Sequence, residues 1–182
     1  MEAETEVDTV TRSAVQAPRS TLSYSAIATY AEQIARQHRV IDDGGNVNVY
    51  ELLNRLGGEI EVENRAESLH VRDAGDFTVF VPTHTSLLRD RFTIAHELGH
   101  YFLHWRAPDR HLVGERTSTF TRLGRNVPET QANVFASNLL MPEPYFRKVF
   151  DEAFGDMVRV AEHFGVSVPA AKVRAEYLGL LA

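Results

Sequence analysis

Hydrophobic positions in this chain fall first into a helical period. Ile27, Tyr30, Ala31, Ile34 and Ala35 form one stripe over residues 25–39, with Ser23 or Ser25 placed to cap it. The run Asp42-Asp43-Gly44-Gly45-Asn46 breaks that helix. Asn46 or Asn48 then caps a second, short helix through Tyr50, Leu52, Leu53 and Leu56, which Gly57-Gly58 ends. From there the period changes to two. Residues 59–63 alternate charged and apolar side chains, residues 69–72 do so weakly, and residues 77–81 are β-branched and aromatic. Ala74-Gly75-Asp76 reads as the hairpin turn joining the last two. Alternation leaves one face in water, so the pattern predicts a small antiparallel three-stranded sheet packed on helices.

A loop over residues 82–88 leads into a helix whose start Asp90 or Thr93 can cap. Here the pattern turns apolar almost all round. Phe92, Ile94, Ala95, Leu98, Gly99, Phe102 and Leu103 leave little polar surface except His96, Glu97 and His100. These form a His-Glu-x-x-His motif. Positions four apart share one helix face, so both imidazoles can reach one metal ion. Glu97 sits one step further round, where its carboxylate can take a proton from a metal-bound water. A buried helix carrying such groups needs something to satisfy them, and a metal does that.

Zinc hydrolases keep three protein ligands and an open fourth position. The extension HExxHxxGxxH is absent, because Leu103 and Arg106 occupy its Gly and His positions. A helix running from Pro128 to Pro142 offers Glu129 instead, on the face of Ala132, Asn133, Ala136 and Leu140. The plainer role for Glu129 is to complement a helix dipole, in which case Glu115 or Glu143 takes its place. His104, four residues after His100, is either a further ligand or a hydrogen-bonded neighbour of one; His104 or His111 can also polarise a substrate carbonyl. Arg89 and Arg91 read either as binders of substrate carboxyl groups or as solvated charges. Residues 105–127 have no clear period and are expected to form a long loop beside the cleft.

Composition narrows the picture. With 182 residues, 43% of them hydrophobic, the chain can bury one sizeable core plus a small appendage. It has no cysteine, which excludes disulfides and thiolate metal sites and fits a reducing, cytoplasmic setting. A net charge of −6 argues against direct nucleic-acid binding, and no apolar run approaches membrane-spanning length. The division expected is a disordered leader over residues 1–21, a catalytic domain over 22–142 and a helical extension over 143–182. In that extension, Gly165 at a turn and Ser167 as a cap give the cadence of a helix-turn-helix. Lys172 and Arg174 against Glu176 are sparse for reading DNA and favour a packing role.

The stretches RFTIAHELGHYFLH and PETQANVFASNLLMP resemble the ImmA/IrrE family of metallopeptidases. In that family an HExxH helix is followed by a helix of the form E-x-x-A-N-x-F-A-x-x-L-L-M-P. The likeness is dense from about residue 50 to residue 142. It implies an α+β fold, a minimal thermolysin-like zincin that is mostly helical with a helical C-terminal part. It also implies His96, His100 and Glu129 as metal ligands and Glu97 as catalytic acid/base. Zinc is the expected ion, though manganese or iron can use the same ligands. The implied partner is a protein substrate, a DNA-binding transcriptional repressor cut once in stress response or mobile-element control. Asn138 departs from the pattern, since relatives usually carry an acidic residue there. The rival reading is a non-hydrolytic metal-binding regulatory protein acting by protein or DNA binding. Glu97 argues against it, because a closed structural site has no use for an acid/base.

Overall fold

In the computed structural model, which describes residues 17–106, 118–121 and 126–181, the helical periods become helices with their caps in place. α1 (Tyr24–Gln37) starts at Ser23, whose hydroxyl accepts the Ala26 N–H, and buries Ile27, Ala31, Ile34 and Ala35. α2 (Val49–Arg55) starts at Asn48, which accepts the Glu51 N–H.

The sheet departs from expectation. β1 (Gly58–Glu63), β2 (Ser68–Asp73), β3 (Asp76–Pro82) and β4 (Ser118–Thr121) lie in the order β1-β3-β2-β4. The hairpin turn pairs β2 with β3 as expected. β3, however, inserts between β1 and β2 and runs parallel to β1. The expected three-stranded antiparallel sheet is thus a four-stranded mixed one, within the same α+β class. Alternation reports which face is wet and says nothing about which strand lies alongside. β4 escaped notice because four residues with one apolar member, Phe120, are too short to show a period. Leu69, Val71, Phe77, Val79 and Phe120 join the helices in one core, and Phe77 stacks on Tyr101 at 4.4 Å.

α3 (Leu87–His100) begins at Ser86, earlier than Asp90 or Thr93. Its first turn is exposed, Leu87 by 77%, so no apolar stripe marks it in the sequence. The helix widens into a π-turn over Tyr101–Trp105. α4 (Val127–Leu140) packs along both α3 and α1. α5 (Glu143–Glu152), α6 (Met157–Phe164) and α7 (Val168–Tyr177) follow as expected. Gly165 ends α6 at φ +60°, a conformation costly for any side chain that carries a Cβ. Arg91 secures this turn, donating to the carbonyls of Gly165 (3.1 Å) and Val47 (3.2 Å). It therefore ties the turn after α6 to the segment before α2. α7 turns Ala171, Arg174 and Ala175 inward, which removes Arg174 from any surface that could read DNA.

Residues 1–16 of the expected leader and residues 107–117 of the long loop, with Glu115 and His111, lie outside the described residues. Within 17–21, Ser20 is buried and exchanges two hydrogen bonds with Gln131 on α4. Among the described residues no helix is long and apolar enough to cross a membrane.

Candidate metal centre

Helices α3 and α4 share side chains because small residues meet where they cross. A Cβ on Gly99 would lie 3.0 Å from the Cα of Ala132 and 3.1 Å from its carbonyl oxygen. That approach sets the turn of α3 bearing His96, Glu97 and His100 against the first turn of α4. There Asn126 caps the helix by accepting the Glu129 N–H at 3.0 Å, and Pro128 needs no N–H partner.

His96, His100 and Glu129 offer ligand atoms that all lie within 4.8 Å of one another. His96 Nε2 is 3.2 Å from Glu129 Oε2, His100 Nε2 is 3.4 Å from Glu129 Oε1, and the two Nε2 atoms are 3.1 Å apart. All three residues are buried, as is Glu97 on the same turn. The far side of each ring is held as well. His96 Nδ1 meets Asn133 Oδ1 at 2.9 Å, and His100 Nδ1 meets His104 Nδ1 at 2.9 Å. Phe120 of β4 stacks almost parallel to His100, with ring centroids 5.9 Å apart.

Burial works against ionisation of Glu129, but the His100 and His96 imidazoles beside it outweigh burial and hold its carboxyl below the usual carboxylate range. The group is an anion at neutral pH. His104 is pushed down to about 3, first by burial and then by its neighbour His100, and is neutral. A ring that carries its proton on Nδ1, toward Asn133 or His104, has its Nε2 lone pair free to meet a metal ion on the carboxylate side. Glu129 Oε2 is buried and receives no hydrogen bond. Two imidazole nitrogens and one anion converging in a buried space fit a divalent cation.

The family described as the IrrE N-terminal-like domain, a peptidase family, matches residues 59–176. The chain belongs to this family of metallopeptidases. Metallopeptidase ImmA of Bacillus subtilis (strain 168) is 29% identical to it over 142 residues, 70% of this chain and 74% of that protein. Both helices of the candidate centre fall inside the matched region.

Around the site of this ImmA/IrrE member, the other candidates find different work. His104 lies on the π-turn and touches His100 instead of joining the three ligand atoms. Glu143, the substitute for Glu129, heads α5 and pairs with Arg147 at 2.8 Å. Arg89 pairs with the buried Glu67 at 2.9 Å. Asn138 donates back to the Val134 carbonyl on its own helix at 2.8 Å. Sequence reasoning missed Asn133 as the holder of His96, although its place four residues after Glu129 was a usable signal. It also missed Gln131, which accepts from His104 Nε2 at 3.3 Å. Two residues from Glu129, on another face, Gln131 carried no signal at all.

Proposed function

We propose that this chain is a zinc-dependent endopeptidase in which His96, His100 and Glu129 hold the ion and Glu97 is the acid/base. The carrying observation is the convergence of the three ligand atoms within 4.8 Å on a buried turn that also bears Glu97. When bound, the ion supplies Lewis acidity, polarising a peptide carbonyl and making water acidic enough to lose a proton near neutral pH. Glu97 takes that proton on a carboxylate oxygen as the water oxygen bonds to the carbonyl carbon. The same oxygen then hands the proton to the departing amine nitrogen as the C–N bond breaks. Asn133 and His104, which hold the Nδ1 sides of the two rings, would keep their Nε2 atoms aimed at the ion's place beside Glu129. Manganese or iron would fit the same donors.

The substrate reading is a protein with a DNA-binding domain, a transcriptional repressor or regulator cut at one site in stress response or mobile-element control. What supports it is the family membership together with the position of β4. This strand lies at one end of the sheet, and its Phe120 stacks on His100. An extended segment of substrate that added to β4 would run past the site with its backbone paired. The test compares new protein N-termini by mass spectrometry in cells expressing wild type or Glu97→Gln. One cut protein carrying a DNA-binding domain, seen only with wild type, is the expected result. No difference with and without DNA-damaging or oxidative stress would point to the non-hydrolytic regulator.

A further inference from the structure

Ser20 lies outside the region matched by the family, yet its backbone reaches the metal centre in three steps. The Ser20 N–H donates to Gln131 Oε1 at 3.0 Å, and Gln131 Nε2 donates to the Ser20 carbonyl at 2.8 Å. One residue's donor and acceptor thus grip both ends of one side-chain amide. Turning the amide over would set N–H against NH2 and carbonyl against carbonyl, two repulsive contacts in a buried place. The grip therefore fixes which end of Gln131 faces His104, and it is the oxygen.

An oxygen there can only accept, so His104 carries its proton on Nε2. A neutral imidazole has one donor and one acceptor, which makes His104 Nδ1 the acceptor. It lies 2.9 Å from His100 Nδ1, which must then be the donor. With its proton on Nδ1, His100 presents a lone pair at Nε2, the atom that faces Glu129.

Taking His100 as the ligand proposed above, we infer that the backbone of residue 20, acting through Gln131 and His104, locks His100 in the tautomer that binds metal. Gln131 and His104 are positioning residues, and the N-terminal segment is part of the metal site although it supplies no ligand. The opposite order of protons along the same chain would place a hydrogen on His100 Nε2 and block the ion.

The test reads ring tautomers by 15N NMR on the metal-free full-length chain and zinc affinity by competition with a chromogenic chelator. Wild type is expected to show His104 protonated at Nε2 and His100 at Nδ1. Gln131→Leu should mix the tautomers of both rings and bind zinc roughly 10- to 100-fold more weakly. Gln131→Glu keeps an oxygen toward His104 and should hold the single tautomer, at a cost in stability because its second oxygen meets the Ser20 carbonyl. Ser20→Pro removes one of the two gripping bonds and should shift both readouts the same way by less. A wild-type His104 protonated at Nδ1 overturns the inference, as does a folded Gln131→Leu with unchanged tautomers and affinity. Should Gln131→Leu not fold, His104→Gln, which still offers His100 an acceptor, is compared with His104→Leu. Only the second should lose zinc affinity, and equal affinities would sink the idea. Neither readout involves turnover, so a chain with this proton order that cuts nothing contradicts the peptidase reading alone. A His100→Ala variant with full zinc affinity contradicts both.

Discussion

Helix α4 has a buried charge at each end, and the two ends are balanced in opposite ways. Its first turn carries Glu129, an anion facing two imidazole nitrogens. Its last turn receives Arg174 from α7, whose Nε donates to the Met141 carbonyl at 3.1 Å. Both charges suit the helix dipole, negative at the N-terminus and positive at the C-terminus. At the C-terminal end the chain supplies its own cation. Burial pushes the Arg174 guanidinium down, and Glu143 and Glu32 push it back up. At the N-terminal end the chain supplies acceptors and, on the function proposed above, takes its cation from solution. A buried cation bonded to a carbonyl of the same chain holds helices together; a buried set of acceptors turned on one point is what the proposed binding site requires.

The two ends of α4 differ most at the proposed ligands. His96→Ala should lose the ion and all hydrolysis, read by elemental analysis and by cleavage of the identified substrate. Glu97→Gln should keep the ion and lose roughly 100- to 10,000-fold in turnover, the usual worth of a positioned acid/base. Retained turnover in that variant would remove Glu97 from its role. Next comes stability. At free zinc 100-fold above its dissociation constant the folded state should gain about 2.7 kcal/mol. At roughly 2–4 °C per kcal/mol for a chain of this size, a chelator should lower the melting temperature by about 5–11 °C.

Arg174→Met sharpens the contrast. It orphans the Met141 carbonyl and should cost about 1–3 kcal/mol, while the chelator-induced shift stays as in wild type. A changed shift would mean that the two ends of α4 are coupled. Gly99→Ala acts at the other end. The added methyl meets Ala132 backbone at 3.0 Å, so the helices must part, at about 1–3 kcal/mol and with weaker zinc binding. The smallest effect belongs to the surface pair Arg55–Glu51, both more than 40% exposed. Glu51→Ala should cost about 0.3–0.5 kcal/mol in thermal unfolding and leave zinc binding alone.

How legible all this was depended on the range of each interaction. Ser23, Asn48 and Ser167 act within three residues, so the caps were legible, down to a choice between Ser23 and Ser25 and between Asn46 and Asn48. His96 and His100 share a helix face by arithmetic, and the burial around them was visible in apolar residues on nearly every side of the helix. Glu129 came from another helix, and only the second motif pointed to it. The insertion of β3 between β1 and β2 left no local trace, because strand order is decided by long-range packing. Arg91 resembled any charge before a helix; its carbonyl partners lie 44 and 74 residues away. Gln131 was invisible for the same reason, since its partner Ser20 is 111 residues distant.

Whether Glu129 completes the metal centre is decided by the metal content of purified wild type, Glu129→Ala and Glu143→Ala after zinc loading and desalting. Wild type and Glu143→Ala should hold one ion per chain, and Glu129→Ala well under one. A full equivalent retained by Glu129→Ala would contradict that role, and the ligand set built on α3 and α4 would have to be abandoned.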